Sequence, residues 1–217
     1  LAREKATQAI LPLRGKVLKS FETHRDQLFG NAEIHDISVA IGVDPHGEHD
    51  KVDLSGLRYG KICILADADV DGSRIQVLLL TLFYTHFRQL VTHGNIYVAQ
   101  PPLFRVDVNA QGKTKPARKL YALDQSELDI ILERLQKENL KESAYSISRF
   151  KGLGEMNPEQ LKDTTMHPDT RRLVQVQIPE GGGIDTYDIF VKLMGKGEAA
   201  SRRTWMEAEG DTAEVDI

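Results

Sequence analysis

The hydrophobic pattern changes period along the chain, and each change predicts an element. Ile75, Leu78, Leu79, Leu82, Phe83, Phe87 and Leu90 recur at three- and four-residue steps, which predicts a helix from Ser73 to about Leu90 with a wide apolar face turned to a core. Just before it, the run Lys61-Ile62-Cys63-Ile64-Leu65-Ala66 has the length and β-branched content of a buried strand. Asn95-Ile96-Tyr97-Val98-Ala99 reads as another strand. Strand, helix and strand make a βαβ unit, whose right-handed crossover argues for a parallel sheet.

The flanks are less regular. Ile10, Leu11 and Leu13 form a strand or extended piece that delivers Arg14 and Lys16 into a loop. Leu28, Ile34, Ile37 and Ile41 predict helix over 22–42, with Gly42 as its stop. Residues 42–60 hold Gly42, Pro45, Gly47, Gly56 and Gly60 and read as loop. After Pro101-Pro102, Leu103–Val108 looks like one arm of a hairpin around the polar stretch 109–118. Asp124 and Glu127 resemble a capping box at the start of a helix over 125–139. Tyr145–Phe150 reads as a strand, and Asn157-Pro158-Glu159-Gln160 supplies a cap and a first-turn proline. Arg172–Ile178 alternates as a strand does; beyond Gly181-Gly182-Gly183, residues 185–194 and 198–209 read as two terminal helices.

Composition narrows the class without naming a function. At 217 residues and 41% hydrophobic content, the chain can build one large domain or a domain with an appendage. A formal net charge of −4 does not advertise nucleic acid, so any DNA contact must come from a local basic patch. There is no apolar run near membrane-spanning length and no signal-peptide pattern, so neither membrane nor secretion is expected. The one cysteine, Cys63, lies in the first strand and reads as a small buried hydrophobe in a reducing compartment, which points to the cytoplasm. The opening Leu1-Ala2-Arg3-Glu4-Lys5, without Met and already helix-like, reads as the start of an excised piece.

The chemistry concentrates in Asp67-Ala68-Asp69-Val70-Asp71-Gly72, three carboxylates at the carboxyl end of the first strand. Open α/β sheets place ligands there. Two ionised carboxylates about 5 Å apart repel by roughly 3 kcal/mol at an effective dielectric near 20, so a cluster of three calls for a shifted pKa or a hard cation such as Mg²⁺. A calcium loop of the EF-hand type begins the same way, but its twelfth position falls on Leu78 instead of Glu. An aspartate-nucleophile phosphatase of the HAD type also carries Asp-x-Asp after a strand, usually with Thr or Val where Asp71 stands. A regulatory metal-binding module and a merely solvated acidic turn are the remaining alternatives. His35, His46, Glu48 and His49 match no standard zinc spacing and read as polar loop. Arg171-Arg172 and Arg202-Arg203 read as solvated faces in preference to contacts with DNA or a partner protein.

Four strings in order carry a resemblance: Ile10-Leu11-Pro12-Leu13-Arg14-Gly15-Lys16, the Asp67–Gly72 cluster, Pro101-Pro102-Leu103-Phe104-Arg105, and Arg149-Phe150-Lys151-Gly152-Leu153-Gly154-Glu155-Met156-Asn157-Pro158. Together they resemble the C-terminal Toprim region of bacterial type IIA topoisomerase B subunits. The short segment between Pro102 and Arg149 lacks the long insertion of some gyrases, as other gyrases also do, while His86–Val91 and Glu209–Glu214 are more similar to the topoisomerase IV branch than to the gyrase branch. The resemblance implies an α/β Toprim fold, a Rossmann-like parallel sheet flanked by helices, with a C-terminal α+β tail. It divides the chain into a Toprim core over 1–110, lacking its first strand and the family's catalytic Glu upstream, and a tail over 111–217.

The same resemblance implies roles. Asp67 and Asp69 would be catalytic and bind Mg²⁺, with Asp71 a weaker ligand or an acceptor for water on the ion. Arg14, Lys16, Arg74 and Lys151 would meet DNA, and Glu155, Gly152 and Gly154 would support the site, the glycines by permitting tight turns. Arg74 stands where many relatives carry His, and a permanently charged guanidinium cannot act as a general base. The partners implied are DNA and the A subunit of topoisomerase IV, which supplies the attacking tyrosine in an A2B2 assembly. The activity implied is ATP-dependent cleavage, passage and religation of double-stranded DNA.

Overall fold

The computed structural model describes residues 1–13, 17–112, 115–181 and 183–210. In chain order its elements are α1 (Arg25–Phe29), α2 (Ala32–Ile41), β1 (Ile62–Ile64), α3 (Val70–His86), α4 (Arg88–Thr92), β2 (Ile96–Ala99), β3 (Phe104–Val108), β4 (Arg118–Ala122), α5 (Gln125–Lys137), β5 (Tyr145–Arg149), α6 (Pro158–Leu161), β6 (Leu173–Gln175), α7 (Gly183–Met194) and α8 (Ala199–Glu209). None of the helices among the described residues is long and apolar enough to cross a membrane. Two compact units share these elements: residues 1–12, 63–76 and 97–174 form the first, and 13–62, 77–96 and 175–217 the second.

The βαβ unit is present as β1, α3 and β2, and β2 lies between β1 and β6 in a three-stranded sheet. Gln100 N–H donates to Arg172 O (3.0 Å) and Val176 N–H to Ile96 O (2.9 Å). Those pairings run in opposite senses along the two strands, so β6 is antiparallel to β2. The sheet is therefore mixed where the crossover argument predicts only parallel strands. The long helix between β2 and β6, α5, packs on the sheet of β3 and β4 instead of crossing over this one. Cys63 is half-buried, not fully buried as the strand pattern implies.

In the first unit, β3 pairs antiparallel with β4, from Phe104 opposite Ala122 to Val108 opposite Arg118, as the hairpin reading expects. β3 also pairs antiparallel with β5, so the order is β4-β3-β5. One face of this sheet is covered by α5. Val106, Val108 and Ala122 meet Leu128 and Leu135, with Phe104, Leu120, Ile131 and Tyr145 around them. Full burial of each large side chain here contributes about 1.5–3 kcal/mol. Asp124 caps α5 by accepting from Glu127 N–H (2.8 Å). The Glu127 carboxylate does not close the box on Asp124; it accepts from Leu123 N–H (3.0 Å) and pairs with Arg172. Arg172 thus serves the fold. At α6 the box is complete, with Asn157 and Gln160 each holding the other's backbone N–H.

In the second unit the predicted helix over 22–42 is two helices. Gly30 ends the first, and Asn31 caps α2 through Ile34 N–H (3.1 Å), the place where an Asn side chain competes best for backbone donors. Leu28, Ile34, Ile37 and Ile41 are all buried, as their spacing requires. The predicted helix over 73–90 likewise starts earlier, at Val70, and breaks at Phe87 into α3 and α4. The loop repairs that break. His46 N–H donates to His86 O (2.7 Å), and Gln89 N–H donates to His46 Nε2 (3.1 Å). With Nε2 accepting, Nδ1–H donates to Asp44 O (2.9 Å), so His46 is a buried cap and no zinc ligand. Phe190 of α7 stacks on Tyr84 (4.3 Å between centroids), and Arg202 of α8 donates to Lys192 O (2.9 Å) and Gly195 O (3.3 Å) at the end of α7.

Gly42 ends α2 at φ 79, in the left-handed region, and a Cβ there would run into the carbonyl of Gly56, with Gly56 C at 3.2 Å. Gly42→Ala is expected to lower stability by about 2–4 kcal/mol, combining left-handed strain with backbone displacement. Urea unfolding measures it; an unchanged midpoint would show that α2 ends differently.

Candidate metal centre

The acidic segment links the end of β1 to α3, and the structure gives each aspartate a different job. Helix α3 begins inside the segment, at Val70, instead of after it. Asp69 is the residue just before the helix, and its Oδ1 accepts from Gly72 N–H (2.7 Å) while its carbonyl accepts from Ser73 N–H (3.0 Å). This is N-cap geometry: one carboxylate oxygen satisfies an otherwise orphaned donor of the first turn. Gly72 sits in that turn because the turn lies against the Asp67 backbone. A Cβ on Gly72 would be 2.7 Å from Asp67 C and 2.9 Å from Asp67 N, with the carbonyl oxygen nearer still.

Asp67 is held from the other side by the loop after β5. Its Oδ1 accepts from Leu153 N–H (2.7 Å). Gly152 is extended, at φ −173 and ψ 177, so no unusual backbone angle requires a glycine there. What requires it is space: a Cβ would stand 2.7 Å from Asp67 Cγ, 2.8 Å from Oδ1 and 3.0 Å from Oδ2. The expected tight turn is thus a close approach. Gly154 has open space around its Cβ position and no positive φ, so neither reason applies to it. The loop itself is pinned at both ends. Phe150 is buried and its N–H donates to Leu103 O (2.8 Å), and Met156 is buried after a single 3-10 turn, Leu153–Glu155.

The other candidate residues divide clearly. Glu155 turns its carboxylate back onto Lys151 N–H (2.8 Å) and closes the loop. The Lys151 side chain is exposed, and so is Arg74 on α3, which makes no ion pair among the described residues. Asp71 is exposed in the first turn of α3. Arg14 and Lys16 lie outside the described residues. Asp67 and Asp69 are exposed as well, so water screens the mutual repulsion of the three carboxylates.

Among the described residues no three His, Cys, Asp or Glu side chains come together to hold a metal ion. The pair Asp67 and Asp69 nonetheless suits one. Each has one oxygen engaged by a backbone N–H and another free of hydrogen bonds among the described residues. Hard oxygen donors, one or two carboxylates with water and phosphate completing the shell, match Mg²⁺ better than an all-protein cage does. Leu153 N–H and the packing of Gly72 escape a sequence reading, because a backbone donor brought from 86 positions away leaves no mark in residue types.

Residues 1–101 match the Toprim domain family, whose members bind divalent metal, and residues 142–207 match the DNA gyrase B subunit carboxyl-terminal family. The B subunit of DNA topoisomerase 4 from Pseudomonas aeruginosa is 51% identical over 99% of this chain and 32% of its own length. Its counterpart of the same name from Haemophilus influenzae is 49% identical over 100% of this chain and 32% of its own. The B subunit of DNA gyrase from Thermus thermophilus is 44% identical over 99% of this chain and 32% of its own. The chain spans about a third of the length of these relatives. It belongs to the Toprim-bearing B-subunit family of type IIA topoisomerases and is more similar to these two topoisomerase 4 proteins than to that gyrase protein.

Proposed function

We propose that this chain is the Mg²⁺-binding part of the B subunit of a topoisomerase IV, acting with the A subunit in an A2B2 assembly in the cytoplasm. The assembly cleaves, passes and religates double-stranded DNA, driven by ATP hydrolysis. The observation that carries the reading is the placement of Asp67 and Asp69, one oxygen of each anchored and the other open among the described residues, between the end of β1 and the start of α3. On this reading residues 1–110 are the Toprim core and 111–217 the tail.

Asp67 and Asp69 hold the ion, and Asp71 accepts hydrogen bonds from water around it. Bound Mg²⁺ supplies charge stabilisation at the phosphoryl group and at the departing 3′ oxygen. Arg74 and Lys151, exposed and without ion pairs among the described residues, neutralise phosphates next to the break, as do Arg14 and Lys16. Arg74 keeps its proton throughout and contributes charge only. Glu155 acts at one remove, by fixing the loop that carries Lys151 and Leu153.

Reconstitution of the full-length protein with its tyrosine-bearing partner and ATP tests this. Interlinked DNA circles are expected to be unlinked in Mg²⁺ and left linked in EDTA. Introduction of negative supercoils would assign the gyrase branch instead. Phosphomonoester hydrolysis without any partner would assign a phosphatase.

A further inference from the structure

The contact between the loop after β5 and Asp67 has a consequence for which cation the site takes. Leu153 N–H occupies Asp67 Oδ1 at 2.7 Å, and the missing Cβ of Gly152 lets the loop lie directly on the face of the same carboxylate. Buried Phe150 and Met156 and the Glu155–Lys151 closure fix the loop on either side. The carboxylate is therefore oriented before any ion arrives, and only Oδ2 is left free of hydrogen bonds among the described residues.

We propose that the Gly152–Leu153 peptide is a positioning element that makes Asp67 a one-oxygen ligand and so selects a small octahedral cation over Ca²⁺. Mg²⁺ demands near-ideal octahedral geometry at short distances, which single carboxylate oxygens provide. Ca²⁺ favours more ligands and accepts both oxygens of one carboxylate. An N–H tied to Oδ1 opposes the two-oxygen mode. This inference rests on the metal reading of Asp67 given above.

Proline at position 153 tests it. Leu153 opens a helical turn, where a proline nitrogen gives up no helical hydrogen bond, and the extended Gly152 before it lies outside the α region that a following proline disfavours. Leu153→Pro therefore deletes the Asp67 donor and puts its ring Cδ in the donor's place against Oδ1, and Leu153→Ala reports the side chain's own contribution. In the full-length protein without nucleotide, Mn²⁺ binding is read by electron paramagnetic resonance, with Mg²⁺ and Ca²⁺ as competitors. Leu153→Pro is expected to bind Mn²⁺ about 10- to 100-fold more weakly than Leu153→Ala, the scale for losing a partner that orients a ligand. Its Mg²⁺-over-Ca²⁺ preference is expected to narrow. In the reconstituted enzyme, the metal concentration for half-maximal cleavage should rise while the rate at saturating metal stays near that of Leu153→Ala.

Equal affinities and equal cation preference in the two variants would overturn the proposal. If Leu153→Pro does not fold, Gly152→Ala decides on the same readout, because its Cβ displaces the carboxylate while the donor remains. Loss of folding in both would also overturn it, making the contact a fold determinant. A parent protein that binds no Mn²⁺ would instead remove the metal reading itself.

Discussion

Asp69→Asn is expected to reduce Mg²⁺-dependent DNA cleavage by the reconstituted enzyme about 100-fold or more, with little change in thermal midpoint. The reason lies in the two roles of this side chain, the observed cap and the proposed metal ligand. Asn keeps an oxygen for Gly72 N–H, and Asn ranks beside Asp as an N-cap, so α3 keeps its start. What disappears is the negative charge that the proposed metal role requires. Asp69→Ala loses both and is expected to cost about 1 kcal/mol of stability in addition. The pair separates the metal from the cap: a normal rate of unlinking by Asp69→Asn would leave Asp69 with the cap alone and sink its metal role.

Gly72→Ala is expected to destabilise the protein by about 1–3 kcal/mol, although alanine in a helix ordinarily gains up to about 1 kcal/mol over glycine. Gly72 has no positive φ, so helix propensity alone predicts a gain. The added methyl would instead meet the backbone of Asp67 at 2.7–2.9 Å, and backbone cannot swing aside as a flexible side chain can. Either α3 or the Asp67 peptide must move, and both carry the proposed metal ligands. Chemical denaturation and the cleavage assay should therefore fall together. A stabilised variant with normal cleavage would show that the first turn of α3 does not press on Asp67.

Particular residues show where residue types alone are enough. The spacing Ile75, Leu78, Leu79, Leu82, Phe83 specifies a helix with an inward face, and the β3–β4 hairpin follows from apolar arms around a polar turn. The start of α3 is placed too late by the same logic, because Val70 and Asp71 carry no hydrophobic period and the helix begins at its cap. The break at Phe87 is invisible to periodicity, since Leu90 stays in phase across it. It depends on His46, which takes up the freed groups from about 40 positions upstream.

The sequence by itself determined the βαβ order, the Asp124 and Asn157 caps and the carboxylates at the end of β1, because these depend on neighbours within a few residues. Four motifs in order also pointed to the family. Only the tertiary structure decided that β6 runs antiparallel, that Arg172 and His46 serve the fold, and that Asp67 is gripped by Leu153. Apart from the Arg172–Glu127 ion pair, those facts depend on backbone donors and open space, and a peptide N–H is the same in almost every residue until folding aims it at a partner.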